Sequence, residues 1–561
     1  MDAAVDSPRS RPALLPKPGW ARGALLLLIA FALLRSVLWA SVQPAFFAPD
    51  EDYHWSYVNY LVWEGAIPNL NKPFSPLEMY RTQVLTGEGQ YFAGPRTNYK
   101  GAPHAVLAQL GPEIGYRKPS PPKPRPVLHP PGYYLPDVLI DNILWNKVSV
   151  TRLTAMRYYS AALGALTIYL VWLLAAAVLA REWQRLAAAA LVSLQTLLAF
   201  SASTMTNDVA VAVSLNATLA WCAWMLRGPP RARDGIGLGV LFSVAVMVKA
   251  TMLSLVLVIA VTLALLWKTY PQSRREIWGI VKWAVAIPAV LTGWWYVRLV
   301  IVTHSILGAN GSLTASHVRG PGLGHAPAIA WEWIGNVYRS YWFDYNNYEV
   351  RVEDLWFWLP VVAMAIVAAG FVRLVIRRMR TLFAPEGSEL RVVFIIVLTA
   401  LLLVVPPLAL DVLRGTRGLP FVTQQARFLT PAYPGLAVIA VLALRELTGF
   451  ARRAYPIAVG ILVTATFVFY CHTWVVWTLE RFYGAIHGHW LRALRHASYD
   501  KPNFVTPGFL ATLIVLGVLA FVSAFVLTVW GSRRDARRGD GAPGAAGEAR
   551  LPTAAASPAP G

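Results

Sequence analysis

Directly after a long apolar run the chain reads Pro49-Asp50-Glu51-Asp52-Tyr53-His54, three adjacent carboxylates followed by an imidazole. Like charges crowded where a membrane lowers the dielectric raise one another's pKa, which suits Asp50, or failing it Glu51, to general-base work on a hydroxyl. The same residues suit two other roles. Asp50 is a good helix N-cap with Glu51 and Asp52 at the positive end of the helix dipole. Asp50 and Glu51, with His54 close in sequence, also offer ligands to a weakly held divalent cation. No His, Cys or carboxylate set has the spacing of a tight structural metal site, so no tightly bound cofactor is expected.

Other polar residues stand out against apolar surroundings. His129 opens His-Pro-Pro-Gly-Tyr133-Tyr134, an imidazole beside two rigid prolines and two phenols. Asp208, after Asn207, begins an apolar run and reads as a helix N-cap. Lys249 separates two apolar runs, where an ammonium must meet protein, water or phosphate, or snorkel to the surface. Arg427 follows Gln425 and Ala426 and precedes Phe428.

The elements that must position these residues are membrane spans. Of 561 residues, 56% are hydrophobic and 14% charged, and the mean hydropathy of +0.47 excludes a soluble chain of this length. A hydrocarbon core of roughly 30 Å takes roughly 20 apolar residues per helix. Twelve such runs lie near 21–42, 153–179, 184–201, 207–226, 235–249, 250–267, 277–302, 355–376, 390–410, 431–447, 456–477 and 506–530. The count becomes eleven if the pair around Lys249 is one bent segment, and the range is 11–13. The first run is expected to stay as a span, because no small-residue cleavage site follows it.

Basic residues set the orientation. Arg9, Arg11, Lys17 and Arg22 precede the first run, and alternate loops after it hold Arg181/Arg185, Arg227/Arg231/Arg233, Lys268/Arg274/Arg275, Arg373/Arg377/Arg378/Arg380, Arg445/Arg452/Arg453 and Arg533/Arg534/Arg537/Arg538. This places both termini in the cytoplasm and the long loops 43–150 and 303–354 outside. The first loop begins with a segment of helical periodicity, expected as an interfacial helix, and contains a Pro- and Lys-rich stretch at 118–126. The net charge of +21 is accounted for by topology and anionic lipid rather than nucleic acid. Cys222 and Cys471 fall in separate spans and indicate no disulfide framework. The expected organisation is a cytoplasmic tail at 1–20, a transmembrane core at 21–450, further helices at 451–531 and a disordered tail at 532–561.

In their order along the chain, Pro49-Asp50-Glu51-x-x-His54, His129-Pro130-Pro131-x-Tyr133-Tyr134, Asn207-Asp208, Lys249-Ala-Thr and Gln425-Ala-Arg427-Phe428-Leu-x-Pro431 resemble a family of predicted membrane proteins (domain of unknown function 2142). More distantly the chain resembles the GT-C membrane glycosyltransferases, which include the protein O-mannosyltransferases and aminoarabinose transferases. The resemblance covers roughly 20–450; Ala426 stands where glycine is the pattern, and the 118–126 insertion is unusual. It implies an all-α GT-C-like bundle with interfacial helices in the first outward loop. It also implies a polyprenyl-phosphate sugar donor and a glycan, lipid or protein acceptor at an extracytoplasmic site in the cell membrane.

In such a reaction a phosphate gathers charge as the sugar leaves, so cations are needed on the outer side. Arg414, Arg417 and Arg427 lie in an outward loop against the inside bias of the other short loops. Arg427, nearest the membrane, is the candidate donor-phosphate ligand, with a headgroup contact or interhelical ion pair as the plain alternative. His129, Tyr133, Tyr134 and Lys249 are candidates for the same donor, and His54, Asp208 and Gln425 for lining the cavity. A satisfied turn histidine is an equal alternative for His129, and a helix cap is by itself an adequate account of Asp208. Two other functions compete: a lipid or polysaccharide transporter or flippase, and a non-catalytic scaffold.

Overall fold

The computed structural model describes residues 11, 13–16, 18–68, 75–86, 115–117, 128–306, 320–342, 354–384, 387–421, 423, 425–449, 454–473, 483, 490–499 and 501–540. Its helices, in chain order, are Trp20–Val42 (α1), Glu51–Glu64 (α2), Leu77–Thr86 (α3), Tyr134–Ile143 (α4), Ser149–Ala176 (α5), Glu182–Ser193 (α6), Thr196–Ser201 (α7), Asp208–Met225 (α8) and Asp234–Val248 (α9). They continue with Leu255–Thr269 (α10), Arg274–Thr303 (α11), Ala326–Trp342 (α12), Asp354–Arg378 (α13), Ser388–Thr416 (α14), Tyr433–Leu447 (α15), Ala454–His472 (α16), Trp490–Ala497 (α17) and Pro507–Asp540 (α18). The β structure among the described residues is a two-residue antiparallel pair, Ser75–Pro76 with Tyr116–Arg117. The protein is an all-helical, multi-pass membrane protein, because helices close their own backbone hydrogen bonds where no water can.

Ten helices among the described residues are long and apolar enough to cross a bilayer, against the twelve expected. The run at 184–201 is broken into α6 and α7. Arg35 of α1 fills the break: its guanidinium donates to the carbonyls of Ser193, at the end of α6, and of Gln195, which caps α7 and also accepts the Ala199 N–H at 3.1 Å. The other shortfall is α9, a 15-residue helix that stops where Lys249 becomes extended. It is not one bent segment with α10. Gly235 and Gly239 of α9 lie against Ile280 and Trp283 of α11, and the Tyr296 hydroxyl donates to the Val246 carbonyl at 2.8 Å, so α9 and α11 run parallel. The chain between them must therefore turn back.

The two ends of the bundle differ in charge. At one end Arg11 pairs with Asp234 at the start of α9, and Arg378 and Arg445 hold Glu389 and Glu446. Asp50, Asp208, Lys249 and Arg427 lie at the opposite helix ends, and the gathering of arginine-rich loops at the first end is what charge bias in short loops demands. The last helix packs antiparallel on α1, with Phe521 on Phe31 (5.0 Å between centroids) and Gly531 against Trp20. It runs to Asp540, so the tail expected from 532 is helical at its start; 541–561, the 118–126 stretch and 343–353 lie outside the described residues.

Close helix approach near the site depends on Gly164 of α5, where an added Cβ would sit 2.4 Å from that of Ala202. Small residues at such crossings let backbones meet in lipid. A Gly164→Val substitution is expected to cost about 1–3 kcal/mol, the scale of overpacking. It should be read as a lower unfolding temperature of the purified protein in detergent; an unchanged temperature would show that α5 and the α7 turn can part freely.

Candidate functional site

The site begins in the turn between α1 and α2, which contains two non-glycine residues with left-handed backbone, Phe46 (φ 61°) and Asp50 (φ 62°). Such conformations cost about 1–3 kcal/mol each and persist only where the surroundings over-determine them. Arg157 of α5 does so. Its Nη1 donates to the carbonyls of Gln43 (2.9 Å) and Ala40 (3.3 Å), and its Nη2 to that of Pro44 (2.9 Å). The same guanidinium holds Glu51 through Nε (2.8 Å to Oε1) and Nη2 (2.5 Å to Oε2), and Oε1 also accepts the Met205 backbone N–H at 2.9 Å. Glu51 and Arg157 are both buried. Glu51 is thus a strut between α1, α2, α5 and the turn before α8, and its oxygens are taken up.

Asp50, one residue earlier, faces a different partner. It makes no side-chain cap to α2. Its Oδ2 accepts from Nη2 of Arg427 at 2.5 Å, while Nη1 of Arg427 donates to the Pro49 carbonyl at 3.2 Å. Arg427 lies in a 3-10 helix, Ala426–Ala432, that leads into α15. Its Nη1 is also 3.8 Å from Oδ2 of Asp208, the first residue of α8, whose Oδ1 accepts from Lys249 Nζ at 3.0 Å. Asp208 likewise spends its carboxylate on cations instead of capping its helix. Phe428 carries both cations on its ring, with Lys249 Nζ and the Arg427 guanidinium each 5.2 Å from the centroid. The product is an alternating row, Asp50, Arg427, Asp208, Lys249, assembled from four separate helix ends.

Imidazoles and phenols back this row. His54 stacks on His129 (5.9 Å) and on Tyr134 (5.6 Å), and its Nδ1 shares a 2.7 Å hydrogen bond with the Tyr134 hydroxyl. Tyr57 stacks on Tyr134 at 4.2 Å and donates to the His129 carbonyl at 3.1 Å. Tyr133 meets the His54 ring edge-on at 6.4 Å but turns its hydroxyl to Ser160 Oγ, 3.1 Å away. Gln425 is half-buried just before the 3-10 helix. Burial lowers both imidazoles, His54 to about 4 and His129 to about 3, with the cation of Lys249 adding to the effect. Both are therefore neutral near pH 7.

The carboxylates divide in a way that the crowding argument does not foresee. Burial raises Asp50, but the charge and hydrogen bond of Arg427 outweigh it and hold the carboxyl below its ordinary value. The residue that rises is Asp52, pushed to about 6 chiefly by burial and then by the neighbouring Asp50 and Glu51.

Sequence reading missed the two buried arginines of α5. Arg157 is described above; Arg152 pairs with Glu78 of α3 and, at 2.8 Å, with Asp141 of α4, all fully buried. The signal was present, since two arginines five residues apart in a largely apolar span demand partners. Arg35, buried in α1, meets backbone carbonyls at the break between α6 and α7. No group of three His, Cys, Asp or Glu residues placed to hold a metal occurs among the described residues. The two carboxylates considered for a weak divalent ion, Asp50 and Glu51, go to different arginines.

No family model and no curated protein matches the chain, so the likeness to the predicted-membrane-protein family rests on its short motifs alone. Among solved structures the chain is similar to the Archaeoglobus fulgidus oligosaccharyltransferase in complex with Zn and sulfate, with a TM-score of 0.43 and 12% identity over 84% of this chain and 55% of that one. It is also similar to ArnT from Cupriavidus metallidurans bound to undecaprenyl phosphate (TM-score 0.43, 15% identity, 90% of this chain and 76% of that one). A third is the archaeal oligosaccharyltransferase AglB from Archaeoglobus fulgidus in complex with an inhibitory peptide and a dolichol-phosphate (TM-score 0.38, 11% identity, 86% and 58%). The chain spans about half the length of the oligosaccharyltransferase chains. At such identities no residue role passes from them to this protein.

Proposed function

We propose that the protein is a membrane glycosyltransferase that moves a sugar from a polyprenyl-phosphate donor to a cell-envelope acceptor on the extracytoplasmic face. The observation that carries the reading is the charge row Asp50–Arg427–Asp208–Lys249 at the bundle end opposite the arginine-rich loops. Arg427 and Lys249 supply the cations that a departing phosphate needs, and a planar guanidinium presents paired donors to phosphate oxygens. Asp50 supplies the base for the acceptor hydroxyl, with inversion at the anomeric carbon. Glu51, in this reading, holds the turn and does no chemistry. The ordered motifs and the long first loop that resemble GT-C transferases agree with this assignment.

Two interrupted helices favour the transporter alternative in principle, because transporters bind substrates at broken helices near the midplane. Here the first break is filled by Arg35 and the second sits at the end of the bundle with Lys249 paired to Asp208. Vesicles containing the full chain, given radiolabelled polyprenyl-phosphate sugars and an envelope extract, are expected to show sugar transfer that an Arg427→Ala variant abolishes. Movement of lipid or glycan across the vesicle without any transfer would make the protein a transporter instead.

The acid limb of kcat/KM against pH separates the two candidate carboxylates, because that ratio reports the free enzyme. The donor is a phosphodiester, already ionised in this range. With Asp50 as base and its carboxyl depressed by Arg427, activity should stay flat down to about pH 4. A limb near 6 that disappears in Asp52→Asn would move the base to Asp52, whose carboxyl burial pushes to about 6.

A further inference from the structure

We propose that Asp50 occupies, in the unliganded protein, the place on Arg427 that the donor phosphate takes, so that donor binding is an exchange which expels the carboxylate and releases it toward the acceptor hydroxyl. This rests on the glycosyltransferase reading and adds to it an order: the donor must arrive before the base is free.

The geometry points to Asp50 as the leaving member of the row. Arg427 spends Nη2 on Asp50 and Nη1 on Pro49, and its buried Nε has no partner. Its hydrogen bonds therefore go to one dipeptide, with Asp208 a looser ion-pair partner at 3.8 Å. Asp50 is the most exposed of the four side chains, at 38%, against 14% for Arg427 and Lys249 and 9% for Asp208. Asp208 is enclosed and bonded to Lys249, so it stays. Charge counting gives the same result. Two carboxylates and two cations cancel, and His54 and His129 are neutral, so a phosphodiester entering without an exit leaves Arg427 shared among three anions. Expelling Asp50 toward its open side restores the balance, and a phosphate oxygen replaces a carboxylate oxygen on the same guanidinium edge.

Release also prepares the chemistry. Arg427 is what holds the Asp50 carboxyl low, so losing that contact to the donor makes the carboxylate a stronger base when the sugar is in place. The acceptor oxygen then bonds to the anomeric carbon as its proton passes to Asp50. The anomeric carbon–oxygen bond to phosphate breaks with its electron pair left on the phosphate, giving a glycoside and a polyprenyl phosphate. Asp50 returns its proton to water as it rejoins Arg427.

The test is binding of farnesyl phosphate to the full chain in detergent, with inorganic phosphate and farnesol in parallel. Asp50→Asn removes the competing charge and keeps the shape, so it should bind farnesyl phosphate and inorganic phosphate about tenfold or more tightly than wild type, within the usual range of coupling between sites. Asp50→Glu, which restores the competitor, should return to wild-type affinity, and Arg427→Lys should bind weakly. If Asp50→Asn binds no more tightly while Arg427→Lys loses affinity, the exchange is wrong and the phosphate site stands. If Arg427→Lys, or Arg427→Ala in its place, binds like wild type, the phosphate reading itself fails. Tightening that extends to farnesol would assign the effect to the lipid chain and overturn the exchange as well. Thermal unfolding of each variant confirms that the protein compared is folded.

Discussion

An Asp50→Asn protein should fold, keep its donor site and lose turnover by something like 10²–10⁴-fold, the usual effect of removing a positioned general base. The amide preserves the size of the carboxylate and an oxygen for Arg427, so the left-handed turn at Asp50 and the packing of α2 survive. What disappears is proton acceptance. The comparison that gives this meaning is Glu51→Gln. Its oxygens hold Arg157 and the Met205 N–H and are buried, so that variant should lose stability and yield, with turnover per folded molecule reduced far less than in Asp50→Asn. Transfer measured per folded molecule in both variants separates the two residues. If Glu51→Gln is the more damaging for turnover, the base is Glu51 and the strut assignment is wrong.

Arg157→Met is expected to cost the most stability of any single change discussed, at least about 3–5 kcal/mol, because breaking a buried ion pair strands its partner. The loss reaches beyond Glu51. Three carbonyls, those of Ala40, Gln43 and Pro44, lose their donor together, and with them goes the clamp on a turn that holds Phe46 and Asp50 at positive φ. Purified yield and heat resistance in detergent should fall sharply. Coupling is the decisive readout: Glu51→Gln combined with Arg157→Met should cost less than the sum of the two single changes, since the double variant leaves no buried charge behind. Strict additivity would mean that the two residues do not act as a unit.

The spans were legible because lipid enforces length and apolarity so strictly that ten of the twelve expected runs appear as long apolar helices. The break at 194–195 was not legible, for the cation that fills it, Arg35, lies 158 positions from Ser193. In the site, Asp50, Arg427, Lys249 and Asp208 were each visible as polar residues in the wrong surroundings. Their mutual pairing was not, because side-chain geometry across four helix ends has no local signature. The crowding argument failed at Asp50 for the same reason: neighbours in sequence suggested repulsion, while the nearest charge in space is a cation. Tyr133 and Tyr134 look alike in sequence, yet the start of α4 sends one hydroxyl to Ser160 and the other to His54.

The separation of the paired residues also sets a timetable for making the protein. Glu51 and Arg157 are 106 positions apart, whereas Asp50 and Arg427 are 377 apart. At synthesis rates of about 5–20 residues per second, Asp50 waits roughly 20–75 s after leaving the ribosome before its arginine exists. The turn can be clamped by Arg157 early in that interval, so the carboxylate is already aimed when the 3-10 helix at Ala426–Ala432 arrives to meet it. A chain stopped between α14 and that helix holds most of its long apolar helices but leaves Asp50 without its arginine, which is a chemical difference between an unfinished molecule and a finished one.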